Sequence, residues 1–443
     1  MATIPSLALI PSGVKASKVY SVLPTDGTGD FDFARSGNAT RVNSEGLIEL
    51  VSTNVPRLNY PLIDGVVSGC PSLLLEPERR NLIQYSEDFS NDYWTKSGSS
   101  AVSGFTSPDG DLNASKIVST AILGTHSFQD APTTTSSGIY TASCLFKKGE
   151  YNFGLIRVFA NSAADRYSVL INLNDGTFEN SYTVGSPTGT DYKIEPLLNG
   201  WYRLSASITH TSGSVSLTIS GSDTNNPSIA GGLPTYQGDG TSGIYIWGAQ
   251  LEQGSYPTSY IPNYGTALGV TRSAETCNGA GDASTFNDSE GVLFAEISAL
   301  ANDLTFRLIS LSDGTTSNRL SLGYRSTSNA IYCEIRNANV TQAFLITTIN
   351  DIKTKSKVSV KYKENDFAMW VNGFEVSTDT SGITPVNLSK INFDSGQING
   401  SFFYGNTKQI KYFPTALNDS DLETLTSWDS FSDMATSQLY TIE

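Results

Sequence analysis

The chain has 443 residues, 38% hydrophobic and 16% charged, with 28 Lys and Arg against 43 Asp and Glu for a formal net charge of −15. That apolar content supports packed cores and excludes a wholly disordered chain, and the length suggests two or three domains. The acidic balance excludes the phosphate-neutralising footprint of a nucleic-acid binder and the basic patch that draws a protein to anionic membrane.

The opening, "MATIPSLALIPSGVKAS", has no basic leader, and Pro5 and Pro11 interrupt its apolar stretch, so it does not read as a signal peptide. No apolar run approaches the roughly 20 residues of a membrane span. The expectation is a protein made in a cytoplasm, without membrane insertion. Residues 1–80 are turn-rich, with "DGTGDFDF" and weak periodicity.

From residue 81 the pattern is one of short alternating runs. Val169, Ile171 and Leu173 share a face before Asp175-Gly176, a tight-turn pair. In "WYRLSASITHTSGSVSLTIS", Tyr202, Leu204, Ala206 and Ile208 share one face and Ser205, Ser207 and Thr209 the other. Val215, Leu217 and Ile219 return after Ser212-Gly213. The stretch predicts an antiparallel hairpin with a solvated hydroxyl face. The run closes near "IYIWGAQLEQG" and leaves through "YPTSYIPNYGTALG", where Pro257 and Pro262 suit an extended, unpaired path.

Residues 273–290 have the composition of a linker. Beyond them Val358, Val360 and Tyr362 alternate with Lys357, Ser359 and Lys361, and Asn372-Gly373 is a strong hairpin signal. One helix is predicted near the end. Asn418 is its N-cap, Asp419 and Asp421 lie in its first turn, and Leu417 and Leu422 form a hydrophobic staple.

Plentiful glycine (39 residues), many short strands and few helical stripes predict an all-β chain: two tandem antiparallel jelly-roll β-sandwiches after a turn-rich N-terminal region. The boundaries are 1–80 for the N-terminal region, 81–272 for the first sandwich, 273–290 for the linker and 291–443 for the second sandwich.

Three groups of stretches carry a resemblance. The first is "FDFARSGNATRVNSEGLIE" with "NVPRLNYP" and "LLLEPERRNLIQYSEDFSNDYWTKSG". The second is "PDGDLNASKIV" with "NGWYRLS". The third is "GAQLEQGSYPTSYIPNYGTALGVTRSAE". Together they cover about residues 30–276 and resemble a module of bacteriophage virion proteins of the fibre and receptor-binding kind, often described as carbohydrate-binding. Separately, "FAMWVNG" and "GQINGSFFYGNTKQIKYFPTALNDSDLETL" make residues 286–430 similar to laminin-G and concanavalin-A-like jelly rolls. The resemblance implies a structural protein of a tailed-phage head or tail appendage, located in the virion. It further implies attachment to other virion proteins through residues 1–80, adhesion to host-surface glycans, and a homotrimer. A purely structural decoration protein and a polysaccharide depolymerase are the alternatives.

Tyr93 and Trp94, in a polar Asn/Ser-rich segment, are the candidate glycan platform, since aromatic faces stack on sugar C–H faces. The other reading packs Trp94 into the edge of the first sandwich, as the high average burial of Trp suggests. Trp201, Trp247 and Trp370 lie within strand patterns and read as core, and Trp428 as packing at the helix end. Tyr256, Tyr260 and Tyr264 recur at a spacing of four, and the prolines among them indicate an extended strap laid over the sandwich or over a neighbouring subunit.

A glycan depolymerase would need two carboxylates roughly 5–10 Å apart across a cleft. Glu87, Asp88, Asp109, Asp111, Glu296, Asp313 and Glu334 are available, but none lies in a glycosidase signature, and turn or solvent-face roles explain each. His126 and His210 sit near no serine elbow or metal motif. No catalytic residue and no metal ligand is assigned, and no cofactor is expected. "SPDGDLN" and "LSDGTTSN" could supply oxygen ligands to a structural Ca²⁺, yet both read first as Asp-Gly turns. Cys70, Cys144, Cys277 and Cys333 form no C-x-x-C pair and read as free thiols.

Overall fold

The computed structural model describes residues 4–131, 133–162, 164–396 and 401–430, together with Met434. The described residues are all-β, forming two antiparallel sandwiches, with the short helix Asp419–Thr426 after them.

In the first sandwich a seven-stranded sheet runs Thr95–Ser97, Ser127–Gln129, Ser214–Ser222, Phe153–Ala160, Asp165–Asn172, Phe178–Val184, with Thr133–Thr134 also on Ser214–Ser222. The facing six-stranded sheet runs Ser99–Phe105, Ala114–Ser119, Gly243–Gln253, Gly138–Lys147, Trp201–His210, Asp191–Leu197. Alternation decides what lies between them. Ala142, Cys144 and Phe146 face inward to Ile156, Val158, Val169, Ile171, Leu217 and Ile219.

The second sandwich pairs a five-stranded sheet with an eight-stranded one. The smaller runs Val340–Thr348, Ala330–Asn337, Arg319–Tyr324, Arg307–Ser312, Lys390–Asn392. The larger runs Phe374–Asp379, Phe367–Val371, Ser356–Lys363, Glu290–Ala299, Gly405–Phe413, Ser72–Leu75, Arg57–Asn59, and Leu7–Leu9 also joins Gly405–Phe413. The predicted turn at Asn372-Gly373 is present, with φ of 52° and 87° and Val371 opposite Phe374. The helix Asp419–Thr426 is capped by Asn418, whose side chain accepts from the Asp421 amide at 3.0 Å. Leu417 and Leu422 bury against Val292, Trp370 and Phe413, as the staple requires.

Three sequence expectations change. Residues 1–80 are not a body apart: Leu7–Leu9, Arg57–Asn59 and Ser72–Leu75 complete a sheet of the second sandwich, and Leu7, Leu9, Leu73 and Leu75 lie in its core. Weak periodicity concealed this because each strand is only three or four residues long. The stretch 273–290 is not a free linker either. Thr276–Asn278 pairs with Phe31–Ala34, and Cys277, Ala280 and Phe286 enter the same core, so its turn residues serve to place those three. Finally, Trp201–His210 and Ser214–Ser222 are not a paired hairpin; they belong to opposite sheets. A period of two reports which face is buried, and both strands bury one, but it does not report the partner.

Among the described residues no helix is long and apolar enough to cross a membrane.

Candidate binding groove

The segment Ser255–Tyr264 leaves the last strand of the first sandwich and lies across the outer face of the six-stranded sheet. The sheet was prepared for it. Thr141 lies opposite Ser207 and Glu252, and Ser143 opposite Ser205 and Gln250, so small hydroxyls and two acceptors tile that face. Glu252 accepts from the Thr258 amide at 2.8 Å and its hydroxyl at 2.7 Å, and Gln250 accepts from the Ile261 amide at 2.7 Å. Arg203 donates to the Thr258 carbonyl at 2.7 Å and to the Ser143 hydroxyl at 3.0 Å. The hydroxyl face expected to meet solvent is therefore covered, with Ser205 and Ser207 buried. Alternation separates an apolar from a polar face; it does not say that the polar one is wet.

Below the strap lies an ion-pair network. Arg35 donates to Glu275 at 2.8 Å. Arg57 holds Glu275 with Nε at 2.9 Å and with Nη2, and reaches Glu76 at 2.7 Å. Arg272 meets Glu76 at 2.8 Å and the Thr258 hydroxyl at 3.1 Å, which passes the contact on to Glu252. The strap joins through Ser259, whose amide and hydroxyl both donate to Glu76. Three arginines balance three glutamates, and all six residues are at most 3% exposed. Burial alone would raise the Glu76 carboxyl; the charges of Arg272 and Arg57 overcome it and hold the group well below the usual carboxylate range. Every one of the six falls within the stretches that carry the resemblance. Their role here is to bind the N-terminal strands, the strap and the exit of the first sandwich into one piece.

Three hollows follow the strap between the sandwiches. The first, about 840 Å³, is lined by Arg79, Arg80, Thr133, Ser136, Gln253 and Asp303 among others. The second, about 240 Å³, shares Ser255 and Asp303 with it and adds Asp191, Ser207 and Asn302. The third, about 480 Å³, shares Lys193, Pro257, Leu300 and Lys353 with the second. Their shared walls make one groove, with Lys193 of the first sandwich and Lys353 of the second both lining the neck between the last two hollows. Each lysine keeps a carboxylate on its own side, Glu195 at 2.7 Å and Asp351 at 3.5 Å. The first two hollows offer hydroxyl, amide and paired charge, and the third adds an apolar wall of Ile48, Leu62, Leu145, Ile194 and Leu197; polar partners beside an apolar face suit a saccharide, whose ring has both.

Of the residues expected to act, Trp94 is 2% exposed. Its ring packs on Phe89 at 5.0 Å with Tyr93 edge-on at 5.5 Å, and its indole N–H donates to the Tyr85 carbonyl. Trp94 is core, so it offers no platform, and Tyr93 is half-buried against it. The strap tyrosines divide. Tyr260 packs on Trp247 at 4.6 Å, made possible by the bulge at Gly248, where φ is 63° and a Cβ would stand 3.3 Å from the Tyr260 ring. Tyr256 is buried beneath Arg79, 5.4 Å from its ring centre. It lines the second hollow with Asn302 and Asp303 of the second sandwich, and burial pushes its phenol up while the charges of Arg79 and Arg307 draw it back. Tyr264 is 73% exposed. Trp201 and Trp247 are buried, but on the outer face under Tyr260 rather than between the sheets.

The candidate carboxylates other than the exposed Asp111 have structural partners. Glu87 accepts from the hydroxyls of Tyr260 and Tyr264 at 2.9 and 3.1 Å, and Asn113 bridges it to Asp109 at 3.0 and 3.2 Å. Burial pushes the Glu87 carboxyl up. Glu334 is held by Arg319 and Arg336, and Glu296 by Lys355 and Gln409. Asp88 caps Ser90, and Asp109 and Asp313 cap Asp111 and Thr315 in Asx turns. Among the described residues no group of three His, Cys, Asp or Glu is placed to hold a metal ion. The four cysteines are free thiols, and Cys144, Cys277 and Cys333 are buried.

No family model matches the chain, and no curated protein matches it. Among solved structures it is similar to the NanB sialidase of Streptococcus pneumoniae (16% identity, TM-score 0.28, 33% of this chain and 25% of that one). It is also similar to the CBM40 of the Ruminococcus gnavus IT-sialidase bound to α2,6-sialyllactose (14%, TM-score 0.28, 34% and 94%). A third likeness is to domains LG4-5 of the mouse laminin α1 chain (9%, TM-score 0.24, 82% and 96%). The chain spans about a quarter of the length of the sialidase it matches. At these TM-scores the likenesses carry no weight on what this chain binds.

Proposed function

We propose that this chain is a glycan-binding adhesion subunit of a tailed-phage particle, and that the groove along Ser255–Tyr260 seats the saccharide chain. The observation that carries the reading is the groove itself: three adjoining hollows, two lined by hydroxyls, amides and paired charges and one with an added apolar wall, between two bodies held together by buried ion pairs. A trough whose walls are already tied together loses little of its own order on binding a flexible chain. The structural partners kept by Glu87, Asp88, Asp109, Glu296, Asp313 and Glu334 support binding over hydrolysis. The virion setting, attachment through residues 1–80 and assembly as a homotrimer come from the resemblance of the motif stretches. Several copies on one particle would turn weak single-site contacts into firm adhesion, because later contacts are effectively intramolecular.

The test is calorimetric titration of the whole chain with a panel of bacterial surface polysaccharides, alongside a Lys353→Trp variant that fills the neck of the groove. Saturable binding that weakens at least tenfold in the variant supports the reading. Binding that the variant leaves unchanged, or no binding by any member of the panel, removes the groove from consideration. Release of reducing ends would make the chain a depolymerase instead.

A further inference from the structure

The outer face of the five-stranded sheet carries a feature the groove does not use. Ile331, Cys333 and Ile335 point into the core, so Tyr332 and Glu334 point outward, and the register sets Phe344 directly beside Glu334. Phe306 lies just before the strand Arg307–Ser312 and meets Tyr332 edge-on at 6.0 Å; Phe344 meets Tyr332 at 5.8 Å from the other strand. Arg325 completes the group, its guanidinium carbon 5.6 Å from the Tyr332 ring centre and 5.2 Å from that of Phe344. Tyr332 itself is 5% exposed beneath these three, so it backs the group, and Phe306, Phe344 and Arg325 present the open surface.

Two facts set this group apart from ordinary surface. Phe306 and Phe344 are each 43% exposed, in a cluster rather than singly. And Arg325 is a cation without a counter-charge: its Nε has no hydrogen-bond partner, and among the described residues no carboxylate pairs with it. Between positions 319 and 337 the chain carries three arginines and one glutamate, a local excess of two positive charges in a chain of net charge −15. A guanidinium resting on two rings is held flat, with its remaining N–H groups free to meet a planar anion two at a time.

We propose that Phe306, Phe344 and Arg325, backed by the buried Tyr332, form a second saccharide site, separate from the groove and selective for sugars that carry a carboxylate. The C–H face of the sugar ring covers the exposed phenylalanines, and the carboxylate takes the N–H groups at the Nη1–Nη2 edge of Arg325. A neutral sugar would satisfy the rings and leave the cation with water alone, so the pairing sets the selectivity.

The experiment is titration of the intact chain with hyaluronan hexasaccharide, hexagalacturonate and α2,8-linked oligosialic acid, with chitohexaose as the neutral control. At least one acidic oligosaccharide is expected to bind, more weakly as NaCl rises from 50 to 500 mM, and chitohexaose at least tenfold more weakly. Arg325→Gln should lose at least tenfold in that affinity and Phe344→Ala a comparable factor, with circular dichroism showing both folded. The losses from Arg325→Gln and Phe344→Ala should persist in a Lys353→Trp background, which separates this site from the groove. Equal binding of neutral and acidic sugars, no effect of Arg325→Gln, or no binding by any acidic member overturns the proposal. So does concentration-dependent self-association abolished by Phe344→Ala, which would make the rings an interface between copies.

Discussion

Arg57 and Glu275 lie 218 residues apart in the chain and meet as a two-pronged ion pair with both side chains fully buried. Arg57 comes from a strand of the N-terminal region and Glu275 from just beyond the exit of the first sandwich. The pair therefore ties together parts of the chain that composition would assign to different domains. Buried pairs cost desolvation and are weak sources of net stability, but removing one partner leaves a charge stranded. That asymmetry makes the network a device for fixing one arrangement of the two sandwiches, and hence the walls of the groove.

Glu275→Gln leaves Arg35 and Arg57 facing an amide. The expected loss is about 3–5 kcal/mol, read as a lower urea midpoint by tryptophan fluorescence. A variant within about 1 kcal/mol of the parent would show that the network does not hold the bodies together.

Trp94→Ala opens a void beside Phe89 and Tyr93 and leaves the Tyr85 carbonyl without its indole donor. A loss of about 3–5 kcal/mol is expected, with saccharide affinity unchanged when measured well below the unfolding temperature. Loss of affinity in a protein that is still folded would restore Trp94 to a binding role.

Asp130 is buried with its carboxyl pushed from 3.8 up to about 7 by burial, against the opposing bonds from the Ser216 hydroxyl and the Leu217 amide. Because the folded value is raised, the contribution is fully present below about pH 3.8 and is lost as pH rises through about 7. At about 1.4 kcal/mol per pH unit, that interval sets a ceiling of about 4 kcal/mol. Asp130→Asn, which mimics the neutral acid, should raise the melting temperature at pH 8 and make it less dependent on pH between 4 and 8. A lower melting temperature at pH 8 would mean that the charged form is the one the fold uses.

How much was readable follows from what each pattern encodes. The inward faces of Val169, Ile171, Leu204, Ala206, Leu217 and Ile219 follow directly from alternation, and the cap at Asn418 and the turn at Asn372-Gly373 from local chemistry. Pairing across long separations does not, because three-residue strands such as Leu7–Leu9 and Arg57–Asn59 show no period. The stretches that carry the resemblance were visible as motifs, yet their arginines and glutamates face each other only after folding. Their charge type was the available signal: isolated Arg and Glu in stretches otherwise free of charge, as in "NVPRLNYP" and "GVTRSAE". Phe306, Arg325, Tyr332 and Phe344 come from a loop end, a turn and two strands, and only the register brings them together.

The most direct measurement is hydrogen–deuterium exchange of the intact chain with and without a polysaccharide that it binds. Protection gathered in segments 191–195, 253–259 and 300–305, the three walls of the groove, is the predicted result. Saccharide-dependent protection confined to other surfaces, with those three segments unchanged, would contradict it.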